Sequence, residues 1–589
     1  MKKFLLLSVC VLALSGCKEE AAVSSVGDES LVEEQPLDVN AILDHKIEPV
    51  DYQGRTSLSG EYLASRFAQN RDDWKTASKH LETILKTGED EPALLKMSMI
   101  LAAGSGDIDR ALVLSRQLAD TPDAGALTPL FEVVGLFKAR DYKQALGFVE
   151  AMPQGGLSEF VHPLLAGWAK AANGVYDVQP LISNTVHLKH AVLIADFMGK
   201  KEDIPTLLDH AIRAQDLSVG EMETVADTYI YIGALDKAVV VYEESVAQFP
   251  DEKDLSDKLA ALKAGQAVND FKSMAKPEHG VGLAMADMAR LLYRENSMDS
   301  AKIFSHFSRY LNPDDQASLF MLAAVAERSE RYMQASEYYM AIKKTDDNYL
   351  YARRKAAEMM QRAGDDDAAI AALQDLAVDD VEALISIGNI YRGNEDFKSA
   401  VKYYDQAYAR LKKDSDLGEY WHLYYVRGMA HEQDKNWDKA EKDLQKALEY
   451  RPDNAFVLNY LGYAWADQGK HLDQSLEMIR RALALEPTDG YITDSLGWVY
   501  YRMGRFDEAV PYLERAVELL PYDPIINDHL GDSYWRVGRK LEARFQWIRA
   551  KNHSEDEELK AAIDEKMNAG LAAFEMIKRA DADGKAVSP

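Results

Sequence analysis

The residues of this 589-residue chain best suited to covalent or metal chemistry are few, and their spacing does not complete any site. His431-Glu432 begins like a zinc-protease helix, in which a second histidine three residues after the glutamate would put two ligands on one face. That position holds Lys435, so the pair is incomplete. His187 and His190 can share a helix face, but no third ligand stands at a metal-binding spacing, and two ordinary helix histidines are the expectation. Gly199-Lys200 is followed by Lys201 where a phosphate loop needs Ser or Thr, and no nucleophile elbow occurs. Asp365-Asp366-Asp367 precedes AAIAAL and reads as a helix cap rather than a calcium loop. No catalytic residue, metal site or cofactor is expected.

Non-covalent recognition remains, and it needs elements that hold side chains in register. Gly428, Gly462, Gly497 and Gly531 recur at spacings of 34, 35 and 34 residues, and Ala440, Ser475, Ala509 and Ala543 at 35, 34 and 34. Pro452, Pro487 and Pro521 close three of these units. A period near 34 is that of a helix-turn-helix repeat. Small residues on both helices let the backbones approach closely, and proline past the second helix stops it because it cannot continue the hydrogen-bond ladder. Equivalent small residues at Ala400, Ala369, Ala335, Ala301, Ala238, Ala145, Ala111 and Ala77 bring the clear repeats to twelve, with a thirteenth around Gly199 and Ile204. Residues 150–185 hold a degraded unit, and the pattern lapses in residues 251–281 before Leu283 restarts it.

These glycine, alanine and proline positions resemble the tetratricopeptide repeat (TPR). The resemblance implies an all-α, right-handed superhelix (an α-solenoid) of about 12–14 repeats, closed by a capping helix that covers the last apolar face. In a TPR the first helix of each unit spends positions 4, 7, 8 and 11 on the core and turns positions 2, 5, 9 and 12 to the inside of the superhelix. In the last four repeats the inner residues are His422, Tyr425, Met429 and Glu432; Phe456, Asn459, Tyr463 and Ala466; Tyr491, Asp494, Trp498 and Tyr501; and Ile525, Asp528, Asp532 and Trp535. They form an aromatic stripe interleaved with Asn and Asp, opposite the core aromatics Tyr424, Trp465, Tyr500 and Tyr534. The candidate ligand-binding set is Tyr425, Phe456, Asn459, Tyr463, Tyr491, Asp494, Trp498, Tyr501, Asp528, Asp532 and Trp535, with Trp498 and Tyr501 foremost. Rings in a groove offer contact area at low entropic cost, and their amide and carboxylate neighbours can partner a peptide backbone. The alternative is that neighbouring repeats or the C-terminal helix bury these rings. TPR domains that grip acidic tails present Lys and Asn, whereas the fifth positions here are Tyr425, Asn459, Asp494 and Asp528, so basic or neutral polar ligand groups are expected. Aromatic platforms also stack on sugars, which leaves glycan or peptidoglycan binding as a further reading.

The N-terminus, MKKFLLLSVCVLALSGC, has two lysines, an apolar run from Phe4 to Leu14 and small residues before Cys17. It reads as an export signal too short to span a membrane comfortably. Leu14-Ser15-Gly16-Cys17 resembles the bacterial lipoprotein signal, which implies cleavage before Cys17 and its lipidation; an ordinary secretory peptide with a chance cysteine is the alternative. Lys18, where an Asp would imply retention in the inner membrane, implies the outer membrane of a Gram-negative cell, with the body in the periplasm. Cys10 leaves with the signal, so the mature body has no thiol for a disulfide, zinc site or nucleophile. The acidic stretch after Cys17, with Pro36 and Pro49, reads as a disordered tether, reaching on the order of 35 Å as a flexible coil. A net charge of −29 disfavours nucleic acid and anionic lipid, so membrane contact is expected through the anchor alone.

The expected layout is a signal peptide at 1–16, the lipidated cysteine and tether at 17–57, an N-terminal TPR subarray at 58–255, a joint at 256–281, a C-terminal subarray at 282–550, and a capping helix with a polar tail at 551–589. The stretch from Leu458 to Trp547 resembles a proteobacterial family of long TPR proteins. Some of its members are outer-membrane lipoproteins that act as adaptors of a periplasmic carboxyl-terminal processing protease and present cell-wall hydrolases to it. The resemblance implies a non-catalytic scaffold whose partners are proteins or peptides; an assembly factor for outer-membrane or secretion machinery is the competing reading.

Overall fold

The computed structural model describes residues 57–571, apart from 89–90, 120, 122–127, 153–156, 183–184, 214–216, 251, 267–269, 379, 415–417 and 419. The signal, Cys17, the tether up to residue 56 and the tail from residue 572 lie outside the described residues. Among the described residues the secondary structure is helical throughout, and no helix is long and apolar enough to cross a membrane.

Two compact units divide the chain, Met1–Gly364 and Asp365–Pro589. In the first, the helices run α1 Leu58–Asn70, α2 Trp74–Leu85, α3 Pro92–Gly104, α4 Ile108–Ala119, α5 Thr128–Ala139, α6 Tyr142–Ala151, α7 Leu157–Ala172, α8 Thr185–Phe197 and α9 Ile204–Arg213. They continue with α10 Val219–Tyr231, α11 Leu235–Gln248, α12 Lys253–Lys263, α13 Pro277–Arg294, α14 Met298–Leu311, α15 Ala317–Arg328, α16 Tyr332–Met340 and α17 Tyr349–Arg362. The second unit holds α18 Asp366–Leu376, α19 Val381–Gly393, α20 Phe397–Asp414, α21 Trp421–Gln433, α22 Trp437–Tyr450 and α23 Ala455–Asp467. It ends with α24 Leu472–Leu485, α25 Gly490–Arg502, α26 Phe506–Leu519, α27 Pro524–Arg536, α28 Lys540–His553 and α29 Glu557–Ala569.

The helix pairs form where the small residues predict close approach. A Cβ added to Gly428, Gly462, Gly497 or Gly531 would lie 2.9, 2.9, 2.5 and 2.4 Å from Leu444, Ile479, Leu513 and Trp547 of the partner helix. Ala440, Ser475, Ala509 and Ala543, on that partner helix, are fully buried. Turns between paired helices pass through a left-handed residue, supplied by glycine at Gly106, Gly233, Gly469, Gly504 and Gly538 but by Asp72, Arg140, Asn296, Glu330, Glu395 and Lys435 elsewhere. Asp365 caps α18, its carboxylate accepting from the Ala368 N–H at 3.0 Å.

The first unit departs from a simple stack. The α13–α14 pair, expected to open the C-terminal subarray, packs back against α3, α5, α7 and α8. In α14 every residue from Ser300 to Ser308 is buried, so the helix has no solvent face, as in a helix at the centre of a larger core. Serines at 300, 305 and 308 keep that approach close. Lys302 ties it to the start of the unit: its ammonium sits 3.0 and 3.1 Å from the Asp72 carboxylate and 4.8 Å above the Trp74 ring. Tyr142 donates to Glu278 at 2.7 Å. The compact units therefore part at Gly364/Asp365 rather than within the predicted joint at 256–281, whose two ends are taken up by α12 and the start of α13.

Candidate functional site

The expected surface is carried by the first helices of the last four pairs, α21, α23, α25 and α27. The second positions of the last three are open, with Phe456, Tyr491 and Ile525 53 %, 58 % and 44 % exposed, while His422 of α21 is half-buried. Tyr425, Asn459 and Tyr463 are half-buried on the same helices, and the Asn459 Oδ1 has no hydrogen-bond partner in the protein. Tyr425 meets Tyr460 edge to face, with ring centroids 6.0 Å apart.

Trp498 and Tyr501, expected as the foremost ligand contacts, are buried instead, at 9 % and 8 % exposure. Consecutive first helices stack directly on each other, so the later positions of α25 meet α27 before they can reach a ligand. Trp498 lies between Tyr501, at 4.7 Å, and the imidazole of His529, at 3.9 Å, both rings nearly parallel to it. Its indole N–H points to Asp467 at 3.4 Å, a carboxylate that Arg502 also holds at 3.2 Å.

The aspartates of the set are closed off as well. Asp494 receives the Nδ1 of His529 at 3.0 Å. Asp528 and Asp532 are bridged by Lys566 of α29, at 2.7 and 2.9 Å, and Trp547 donates to Asp532 at 2.9 Å. Trp535 is half-buried between Trp547, 5.3 Å away, and Lys540. The expectation that the C-terminal helix caps the array holds in this form, and it removes Asp528 and Asp532 from the open face.

Burial alone would lower the His529 pKa, but the facing Asp494, with Asp528 and Asp532 behind it, brings it above its ordinary value. Burial raises Asp532, and the Asp528 charge raises it further, against the pull of Lys566. Burial would lower Lys566, yet Asp532 and Asp528 hold it above the usual lysine value. Such a buried network favours a single arrangement of its side chains when every member is satisfied.

In the first unit, His190 ties α8 to α7 and α13, and His187 packs on α7. Trp168 can only donate, so its indole N–H fixes the His190 Nδ1 as acceptor at 3.0 Å, and the Nε2–H then donates to Asp287 at 3.0 Å. His187 Nε2 contacts the Phe160 carbonyl at 2.9 Å. Among the described residues no group of three or more His, Cys, Asp or Glu is arranged to hold a metal ion. A cavity of about 440 Å³ near α15 is lined by Tyr293, Ala324, Glu327, Arg328, Glu330, Tyr332 and Arg362. Its guanidiniums are already stacked, Arg328 on Tyr293 and Arg362 on Tyr332.

Two family models, both described as Tetratricopeptide repeat, match residues 421–454 and 494–523, and residues 383–417. The second unit thus contains TPR repeats. No curated protein matches the chain in sequence. Among solved structures, the Cut9 and Hcn1 hetero-tetramer of APC/C gives 15 % identity over 86 % of this chain and 96 % of that one, at a TM-score of 0.37. MamA MSR-1 gives 20 % identity over 29 % of this chain and 95 % of that one, at 0.25, and MamA AMB-1 gives 22 % over 29 % and 96 %, also at 0.25.

Proposed function

We propose that this chain is a non-catalytic protein-binding scaffold of the cell envelope, and that an extended segment of a partner protein lies along the open edge of α23, α25 and α27. The observation that carries the reading is the repetition of a large exposed apolar side chain, Phe456, Tyr491 and Ile525, at the second position of three successive first helices. Isolated apolar residues on a surface need no explanation, whereas a ladder of them marks an interaction site. The TPR matches support protein or peptide partners in general.

The finer role follows from the N-terminal signal and the resemblance of residues 458–547. A chain held by lipid on Cys17 presents cell-wall hydrolases to a carboxyl-terminal processing protease in the periplasm, the tether letting the repeats reach both. Cross-linked purification of the intact protein from its native envelope tests this, comparing wild type with Phe456→Ala/Tyr491→Ala. Recovery of a processing protease or wall hydrolase with wild type, and its loss with this variant at unchanged melting temperature, supports both the role and the surface. Unchanged partners in the variant move the binding surface elsewhere. Trp498→Ala/Tyr501→Ala is the control for core damage and should lower the melting temperature. Radiolabelled palmitate incorporation, abolished by Cys17→Ser, tests the anchor independently.

A further inference from the structure

The last second helix, α28, differs from its predecessors on its outer face. At the repeat positions of Leu541, Phe545 and Ile548 the three preceding pairs carry Asp438, Lys442 and Gln445; Asp473, Glu477 and Arg480; and Asp507, Pro511 and Glu514. Almost all of those nine are exposed, as residues of a solvated face should be. In α28 all three positions are large and apolar, yet exposed by 69 %, 59 % and 43 %. The inward face of the helix is already used by Ala543, Trp547 and Ala550, so the apolar stripe is additional to the packing of the repeat.

Cations flank the stripe. At about 100° per residue, Lys540 and Arg544 fall on one side of it and Arg549 on the other. Their described contacts are neutral groups: Lys540 lies 5.1 Å above the Trp535 ring, Arg544 donates to the Met567 carbonyl at 3.0 Å, and Arg549 to the Pro521 carbonyl at 2.7 Å. Arg539 and Lys551, by contrast, pair with Glu542 and Asp564. In a chain of net charge −29, positive charge with no carboxylate contact among the described residues, set around exposed Leu, Phe and Ile, is a local reversal of sign.

We infer that this face of α28 docks an acidic amphipathic helix of a partner protein, its apolar side chains on Leu541, Phe545 and Ile548 and its carboxylates facing Lys540, Arg544 and Arg549. The spacing of the stripe, at i, i+4 and i+7, matches the anchors of helix-on-helix recognition. The two-turn length of about 10 Å suits one short helix. An anionic bilayer offers the same charge but would repel the acidic body that carries the patch. The site is separate from the α23–α27 edge, and its test separates the two.

The intact protein is titrated into a fluorescent synthetic helix with leucines at i, i+3 and i+7 flanked by glutamates, and into the same helix flanked by lysines. The glutamate helix should bind, and more weakly as salt is raised, while the lysine helix should not. Phe545→Ser should weaken binding about tenfold or more, as loss of a central anchor does. Lys540→Glu/Arg549→Glu should exchange the preference for the two helices, and Phe456→Ala/Tyr491→Ala should leave binding unchanged. No binding, equal binding of both helices, or loss in the Phe456/Tyr491 variant overturns the proposal. So does a Phe545-dependent association with anionic vesicles, or a Phe545-dependent dimer in sedimentation, without binding of the glutamate helix.

Discussion

The imidazole Nδ1 of His529 stands 3.1 and 3.0 Å from the two carboxylate oxygens of Asp494, one repeat earlier in the chain. Asp528, the equivalent of Asp494 in the next repeat, is met in the same way by Lys566 of the terminal helix. Each of these aspartates is thus answered by a cation two helices further on, and the terminal helix takes the place of a further repeat.

The His529 pair makes the end of the array sensitive to pH. Burial opposes the charged ring, but Asp494 raises its pKa above the ordinary value, near 6.5. A raised histidine contributes stability that is fully present below about pH 6.5 and is lost as pH rises through the folded value. Asp532, raised by burial and by Asp528, acts with the same sign from lower pH. Thermal unfolding of the C-terminal unit, followed by tryptophan fluorescence, should show stability falling as pH rises from 6 to 8. His529→Gln should flatten that slope; an unchanged slope would count against the pair.

The first unit should respond in the opposite direction. Burial lowers His187 to about 4 and His306 to about 3, and lowers His190 well below its usual value. Stability from a lowered histidine is present above about pH 6.5 and lost as pH falls. His187 and His306 should each withdraw about 2 kcal/mol by pH 5, and His190 acts in the same direction, read as a falling melting temperature of the N-terminal unit. His306→Gln should reduce that acid sensitivity.

Adding a methyl group at Gly531 or Gly497 tests the pairing of the helices. The new Cβ would stand 2.4 Å from Trp547 or 2.5 Å from Leu513, forcing one helix outward. Gly531→Ala and Gly497→Ala should each cost about 1–3 kcal/mol in chemical denaturation.

Lys566→Ala should leave Asp528 and Asp532 as facing buried carboxylates without a cation. A loss of about 3–5 kcal/mol is expected for a buried pair broken on one side, with hydrogen exchange rising in α27 and α29. Lys566→Met/Asp528→Asn/Asp532→Asn should recover most of the loss, because no unpaired charge then remains.

Glu395→Gly should stabilise. Glu395 occupies the left-handed turn position at φ 61° that glycine fills in several other repeats. Relief of the side-chain clash there, less the greater chain entropy of glycine, should yield about 0.5–1 kcal/mol, seen as a higher melting temperature.

The pairing of helices was legible because Gly428, Gly462, Gly497 and Gly531 each leave room for one particular residue of the partner helix. The fate of the inner positions was less so. A 34-residue register tells which way Trp498 points, but not that His529 of the next helix fills the space it points into. Phe456 and Trp498 share a predicted face, and only the second is covered. The return of α13–α14 was not legible in the repeat register, since Ala301 satisfies the repeat pattern equally whether the helix ends a stack or lies inside one. Its signal was compositional: the run SAKIFSHFS lacks the charged stripe that other second helices carry, with Lys302 as its single cation.

The inward return of α13–α14 also sets a timetable for synthesis. Asp72 leaves the ribosome 230 residues before Lys302, the partner that neutralises it within the finished core. Helices α3, α5 and α7 must meanwhile wait with apolar surface uncovered, and native contacts across such separations form slowly. The first unit cannot complete its fold until residue 311 has emerged, which makes the nascent N-terminal half a natural client for a holdase chaperone.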